Sequence, residues 1–304
     1  MTFDLTRRAV AAGLGAAGLA ACGRVSPGGS GAAPGSLAWA IAGPWRSATE
    51  RARDAARHPL ETLAFWGLQP ALTVLEVYPG LGWWTAILGP YLARNSGRLI
   101  VAEWPRDEAG PAQLDTMAAF ESRFVSDPDL FGQITRSALS SRSGPIAPPE
   151  TVDLAIVSRN VHTFMAGGFA EKAFADLFAA LKPGGVLGVE QHRAPSNGVQ
   201  DPLARSGYVQ EAYVKALAAE VGFDFVSASD INANPNDDRD HPFGVWTLPP
   251  TLRTAPPGMP DDPAFDTRPY AAIGESDRMT LKFRKRMPGE AAPTEPEEDA
   301  VDPS

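Results

Sequence analysis

TVLEVYPGLGWWT, residues 73–85, is the stretch whose reading decides the fold. Its first half belongs to ALTVLEVY (71–78), a continuous apolar run of the kind buried on both faces of a parallel sheet. Its second half turns through Gly80 and Gly82, after which Trp84, Ile87, Leu88, Tyr91 and Leu92 recur at helical spacing. A buried strand carrying an acid (Glu76), then a glycine turn, then a helix is how many nucleotide-cofactor pockets begin. Glycine lets backbone approach a ligand with no Cβ in the way. Tyr78, however, stands where the commonest form of the turn has its first glycine. A dinucleotide-binding dehydrogenase needs close glycines to hold a pyrophosphate on a helix N-terminus. Tyr78 and Trp83 fill that space. A ligand without phosphate tolerates the bulk, and an aromatic face beside a cationic ligand contributes roughly 0.5–2 kcal/mol.

Outward from this turn the chain alternates two periods. Residues 46–67 are helical in pattern, and Pro59 of HPLET is placed to open a new helix, where its missing N–H costs little. Pro90 is expected to bend its helix or end the regular bonding. GRLIVAEW (97–104) is a second buried strand, with Glu103 at its end. Residues 117–131 read as helix and then loop, GQITRSAL (132–139) as a third strand and VDLAIVSRNVH (152–162) as a fourth. Phe169, Ala173, Phe174, Leu177, Phe178 and Leu181 form an amphipathic helix that KPGG (182–185) stops. VLGVEQHR (186–193) is a fifth strand and FDFVSASDI (223–231) a sixth. Between them Ser206 is placed to cap a helix with Val209, Tyr213, Ala216 and Leu217 facing inward. RMTLKFRKR (278–286) alternates apolar and polar residues, as an edge strand does. Strands separated by helices predict a doubly wound, mostly parallel α/β sheet with helices on both faces. Residues 232–276, rich in proline and aspartate, are too long for a connector and read as a functional insertion, a lid or a covering loop.

In such sheets ligands bind beyond the carboxyl ends of the strands. Glu103 sits there, at the spacing from the glycine turn at which an acid accepts hydrogen bonds from ribose hydroxyls. Asn160 and His162 follow the fourth strand; Glu190, His192 and Arg193 follow the fifth. If those strands are parallel neighbours, the groups converge on one cleft. His162 and His192 are then candidates for a general base or a substrate ligand, although a single histidine in such a place is more often structural. Glu190 reads as holding the loop or pairing with Arg193, with a direct catalytic role as the alternative. No ligand spacing unites His162, His192 and His241, so no metal is expected. Asp237, Asp238, Arg239, Asp277 and Arg278 read as a salt-bridged loop, with an acceptor-recognising lid as the alternative.

VLEVYPGLG (74–82), with Glu76 in its acidic position, resembles the glycine motif of class I S-adenosylmethionine-dependent methyltransferases. IVAE (100–103) is similar to their ribose-binding strand end, and FAALKPGGVLGV (178–189) to their helix–turn–strand after the fourth strand. The resemblance covers residues 42–286. More narrowly, RARDAARHPLETLAFWGL (51–68), SRNVHTF (158–164) and INANPNDDRD (231–240) resemble an uncharacterised group of predicted exported (lipoprotein) methyltransferases. The resemblance implies a seven-stranded, Rossmann-like methyltransferase fold with its last strand antiparallel. It implies S-adenosylmethionine as cofactor, held by Glu76, Tyr78, Gly80, Gly82, Trp83, Glu103 and Asn160. No acid follows the third strand, so Ser137 or Ala138 would meet the adenine through backbone. The implied activity is methyl transfer to a small-molecule or lipid-like acceptor, a one-step displacement in which alignment is the main task. His162, His192, Asn160 and Glu190 are the candidate catalytic residues. A different class of reading is a non-catalytic ligand-binding or accessory lipoprotein on the same fold.

The ends of the chain read as separate from this domain. The net charge is −9, of which residues 1–21 carry +1 and residues 288–304 carry −6, leaving −4 on the remainder. A body so mildly acidic is no nucleic-acid surface. Arg7 and Arg8 precede an apolar run over residues 9–21, long enough for an export h-region and short of the roughly 20 residues that span a bilayer. The paired arginines resemble a twin-arginine export signal, and LAAC (19–22) a lipoprotein processing box with Cys22, the only cysteine, as the lipidated residue. The division expected is an export signal over 1–21, a lipidated cysteine and flexible linker over 22–37, the main domain over 38–287 and a disordered acidic tail over 288–304. The protein is then exported and held on the periplasmic side of the cell envelope, touching membrane only through Cys22. Cys22→Ser should move it from the membrane fraction to the soluble one on fractionation. A variant that still sediments with membranes rules the anchor out.

Overall fold

The structure is a computed structural model and describes residues 31–290. The export signal, Cys22 and most of the acidic tail lie outside the described residues. No described helix is long and apolar enough to cross a membrane.

Seven strands form one sheet: β1 (Thr73–Val77), β2 (Arg98–Glu103), β3 (Thr135–Ala138), β4 (Val152–Ser158), β5 (Leu181–His192), β6 (Phe223–Ser229) and β7 (Arg278–Lys285). Their order is β3-β2-β1-β4-β5-β7-β6. β1 to β5 pair in parallel, and β7 runs antiparallel to both β5 and β6. The expected doubly wound sheet is therefore present. The chain enters at β1, winds outward to β3, and returns to β4 on the other side of β1. The tips of β1 and β4 are thus the point where strand order reverses. One apolar layer packs helices 161–166, 170–180 and 211–220 on one face; the other packs helices 37–41, 59–66 and 85–94 on the opposite face.

Tertiary contacts override the local pattern at β7 and at Ser206. RMTLKFRKR is an interior strand, and β6 is the edge. The alternation of β7 fits a strand with one wet face, but that face is covered by a polar network. Arg278 is buried against Glu190 and Glu275, and Thr280 accepts from Asn232 at 2.9 Å. The true edge, β6, carries a register shift between Phe225 and Ser227 and leaves Phe225 and Val226 exposed. Such irregularity discourages edge-to-edge pairing. Ser206 caps nothing: the helix Glu211–Glu220 begins after Gln210, without a side-chain cap. Ser206 instead accepts the Val245 amide through its carbonyl, and Val209 bridges to Arg193. That ties this loop to the insertion rather than to the helix.

Pro90 does not end its helix, which runs over Thr85–Arg94. The missing proline N–H frees the carbonyl of Ala86, four residues earlier. The indole of Trp45 donates to that carbonyl at 2.7 Å. Trp45→Phe keeps an aromatic ring and removes the donor, so the lost hydrogen bond should cost roughly 1–2 kcal/mol in denaturant unfolding beyond the smaller ring's loss of packing, which is the same in any background. In a Pro90→Ala background, where a helical N–H returns, the same substitution should cost much less. Equal costs in both backgrounds would contradict this role for Trp45.

Candidate functional site

A cavity of about 390 Å³ opens at the tips of β1, β4 and β5. β1 contributes Tyr78 to Leu81; β4 contributes Ser158, Arg159, Asn160 and His162; β5 contributes His192. Arg53 and Arg57 wall it from the N-terminal helices, and Val245, Trp246, Pro249, Pro250 and Thr251 from the insertion. The insertion over 232–276 is thus a cover over the strand tips. Because β4 and β5 are parallel neighbours, His162 and His192 converge as expected, with ring centroids 5.6 Å apart.

The glycine turn divides its labour. Gly80 lies at φ 59° and a Cβ there would meet nothing within 4 Å, so its backbone faces open cavity. Gly82 has another duty: a Cβ would come within 2.2 Å of the Phe124 ring, so this glycine admits the packing of Phe124. Trp83 is buried, donates to the Glu50 carbonyl at 3.0 Å, and lies between Arg46 and Arg57, whose guanidinium carbons stand 5.2 and 4.8 Å from its ring. Its faces already serve cations of the protein. Trp84 is core and donates to Ser158 Oγ at 3.0 Å. Glu76 is buried beneath the turn and accepts from Thr85 Oγ1 at 2.6 Å. Burial lifts its carboxyl from 4.5 to about 7, against the opposing pull of the Thr85 hydroxyl and Arg159.

Tyr78 sits at φ 47°, a left-handed conformation that a bulky residue rarely adopts. Its ring stacks on Trp104 at 4.5 Å, and its hydroxyl donates to the Leu139 carbonyl at 2.6 Å. The side chain therefore runs from the tip of β1 across to the residue after β3. Glu103 and Ser137 do not line the cavity, which stops at Tyr78. Glu103 pairs through Oε2 with Arg136 Nε at 2.6 Å, and its Oε1 has no hydrogen bond among the described residues. One acceptor oxygen thus remains for a ribose hydroxyl. Ser137 contacts the Val101 carbonyl within the sheet.

Asn160 donates to the carbonyls of Val77 and Ser158 at 3.1 and 3.0 Å, pinning the β4 tip to the β1 tip. His162 lies against the Gln191 amide, and His192 Nδ1 is 2.6 Å from Ser276 Oγ. Burial, aided by Arg159, lowers His162 from 6.5 to about 4. Burial, then His162 and the arginines, hold His192 well below its ordinary range. Both imidazoles are neutral at pH 7 and able to accept hydrogen bonds. Glu190 is fully buried and does not line the cavity. It accepts from Ser158 Oγ at 2.5 Å and pairs with Arg159 and Arg278, each at 3.1 Å. Arg193, its expected partner, pairs instead with Asp277 and Asp230.

His241 is remote from the other two histidines in function. Its Nε2 is 2.8 Å from buried Asp237, which also accepts from the Tyr208 hydroxyl and from the amides of Arg239 and Asp277. Asp237, Asp238 and His241 place ligand atoms within 4.8 Å of one another, but Asp237 is spent on anchoring the insertion. The salt-bridged-loop reading of this segment fits that geometry. Sequence reasoning missed Arg53, Arg57, Arg159, Trp246, Glu275 and Ser276 as cavity residues. Arg53 and Arg57 stand one helical turn apart in RARDAARH, a spacing that places two guanidinium groups on one face.

No protein-family model matches the chain, and no curated protein matches it. Solved structures do. The crystal structure of the [4+2]-cyclase SpnF aligns with a TM-score of 0.50 at 14% identity, over 76% of this chain and 81% of that one. A SAM-dependent methyltransferase from Aquifex aeolicus aligns at 0.45 and 18% identity, covering 60% of this chain and 87% of its own. An S-adenosylmethionine-dependent methyltransferase from Mesorhizobium loti aligns at 0.46 and 14%, covering 76% and 99%. The first of these likenesses supports the fold, and the other two are too loose to carry more. A cyclase on this fold shows that architecture alone does not name the reaction.

The raised carboxyl of Glu76 has a measurable sign. Its folded value of about 7 exceeds the ordinary 4.5, so the stability it contributes is full below about 4.5 and lost as pH rises through about 7. Glutamine cannot ionise. Relative to the parent, Glu76→Gln should therefore gain roughly 1–3 kcal/mol of unfolding free energy between pH 5 and pH 8. A difference that does not change with pH contradicts the shift.

Proposed function

We propose that the protein is an S-adenosylmethionine-dependent methyltransferase acting on a small-molecule or lipid-like acceptor. The observation that carries this reading is the place of the cavity. It lies at the tips of β1 and β4, where strand order reverses, above a glycine whose backbone is open to it. The residues present fit the cofactor's parts. Glu103 Oε1 is free to accept from a ribose hydroxyl, Trp104 offers a face to an adenine, and Gly80 allows close approach of backbone. Tyr78 now covers Trp104, so its ring must turn away before an adenosine can stack there. The strained backbone at Tyr78 fits a residue that is held rather than relaxed.

When bound, the cofactor supplies an activated methyl group. The chain's own residues then do three things. Asn160 holds the tips of β1 and β4 at a fixed distance. The insertion covers one side of the cavity with Val245, Trp246, Pro249 and Pro250. His162 and His192, both neutral, can accept a proton from an acceptor hydroxyl or amine. The proposal extends to location, an exported protein anchored through Cys22, for which the leader motifs are the support.

Calorimetric titration with S-adenosylmethionine and S-adenosylhomocysteine tests the cofactor. Binding is expected, and Glu103→Ala should weaken it by roughly 1.5–3 kcal/mol, the range for a hydrogen bond to a charged group. No heat at millimolar ligand would sink the reading. Tyr78→Gly, which relieves the left-handed strain and uncovers Trp104, should tighten binding about tenfold, the equivalent of roughly 1.4 kcal/mol. Weaker binding in that variant means that the ring is a permanent wall of the site.

A further inference from the structure

The cavity wall carries more positive charge than its own carboxylates balance. Four guanidinium groups meet here: Arg53 and Arg57 from the N-terminal helices, Arg159 at the tip of β4, and Arg278 at the start of β7. Two carboxylates answer them. Glu275 is 2.7 Å from Arg53, 3.0 Å from Arg57 and 2.9 Å from Arg278. Glu190 is 3.1 Å from both Arg159 and Arg278. His162 and His192, which face the same space, are neutral. Ionisation of Glu76, which feels Arg159, removes at most one of the two excess charges. Three of the arginines line the cavity directly.

The crowding leaves its mark. Arg57 is 3% exposed, and burial, then the neighbouring Arg159, push it well below the ordinary arginine range. Burying like charges together is expensive unless a counter-charge completes the set. Among the described residues the guanidinium of Arg57 makes hydrogen bonds through Nε alone, and that of Arg159 through Nη1 alone. The remaining guanidinium nitrogens are fork-shaped donors suited to an oxyanion. Arg159 is also held at φ 57°, a left-handed conformation at the cavity edge. The side of the wall that the insertion supplies is largely apolar: Val245, Trp246, Pro249 and Pro250. A wider cleft of about 970 Å³ shares His162 and Trp246 with it and adds Leu203, Phe243, Pro256 and Pro257.

We propose that Arg53, Arg57 and Arg159 bind the oxyanion of the acceptor, a small carboxylate-type molecule with an apolar body that lies along Trp246. This deepens the methyltransferase reading and rests on it for the word acceptor. The anion site itself stands on the charge balance of the wall.

The test uses benzoate and its uncharged isostere benzamide, titrated into the full chain with and without saturating S-adenosylhomocysteine. Benzoate should bind at least tenfold more tightly than benzamide, and should do so with S-adenosylhomocysteine already in place. Arg53→Gln and Arg159→Gln should each weaken benzoate about tenfold and leave benzamide unchanged. Glu275→Gln, which adds to the positive excess, should tighten benzoate, an effect that loss of packing does not produce. Benzoate no tighter than benzamide in the parent protein overturns the proposal. So does displacement of benzoate by S-adenosylhomocysteine but not by 5′-methylthioadenosine, since the arginines then hold the cofactor's own carboxylate. If S-adenosylhomocysteine fails to bind while benzoate keeps its dependence on the arginines, the anion site stands and the cofactor reading is what falls.

Discussion

Glu190 is a carboxylate with no access to water at the end of a central strand, and the mouth of the sheet is arranged around it. Burial alone would drive its carboxyl upward; Arg159, Arg278 and Arg57 hold it below its ordinary value. Removing such partners from a buried charge costs several kcal/mol. Each partner comes from a different part of the chain. Arg159 ends β4, Arg278 begins β7, and Arg278 also donates to the Ala56 carbonyl, which brings in the N-terminal helices. Ser158, which donates to Glu190, accepts from Trp84 and so joins the helix after the glycine turn. One buried charge thus links β4, β5, β7 and both flanking segments.

That linkage shapes the cavity. The guanidinium groups that satisfy Glu190 and Glu275 are too many for those two acids, and the surplus faces the open space. The insertion closes the same space from above because Asp237 ties it to Tyr208, His241 and the Asp277 amide, while Asp277 ties it to Arg193 and Arg239. Tyr78 closes the third side. The result is a small chamber with basic and apolar walls, opening where a parallel sheet places ligands.

Much of the architecture was legible because buried parallel strands carry unbroken apolar runs. TVLEV, RLIVAE and VDLAIVS are such segments, and all three lie inside the sheet. The helix Ala170–Ala180 showed itself through the spacing of Ala173, Phe174 and Leu177. Where local pattern failed, a distant partner had intervened. β7 alternates like an edge strand, yet its polar face is covered by Asn232, Glu275 and Glu190 from elsewhere. Pro90 leaves the Ala86 carbonyl without its helical partner, but Trp45, 41 residues before Ala86, supplies a donor. Ser206 has the chemistry of a cap and was engaged by the insertion instead.

The sequence by itself determined the sheet, the glycine turn, the acid at the end of β2 and the pair of histidines at neighbouring strand tips. These follow from periodicity and from short-range chain geometry, which act within a few residues. Only the tertiary structure decided what those residues do. It turned Gly82 into a packing glycine, gave the faces of Trp83 to two arginines, laid Tyr78 over Trp104, and gathered Arg53, Arg57, Arg159 and Arg278 from far-separated segments into one wall. Charge balance and desolvation depend on which groups meet in space, and no local pattern encodes that meeting.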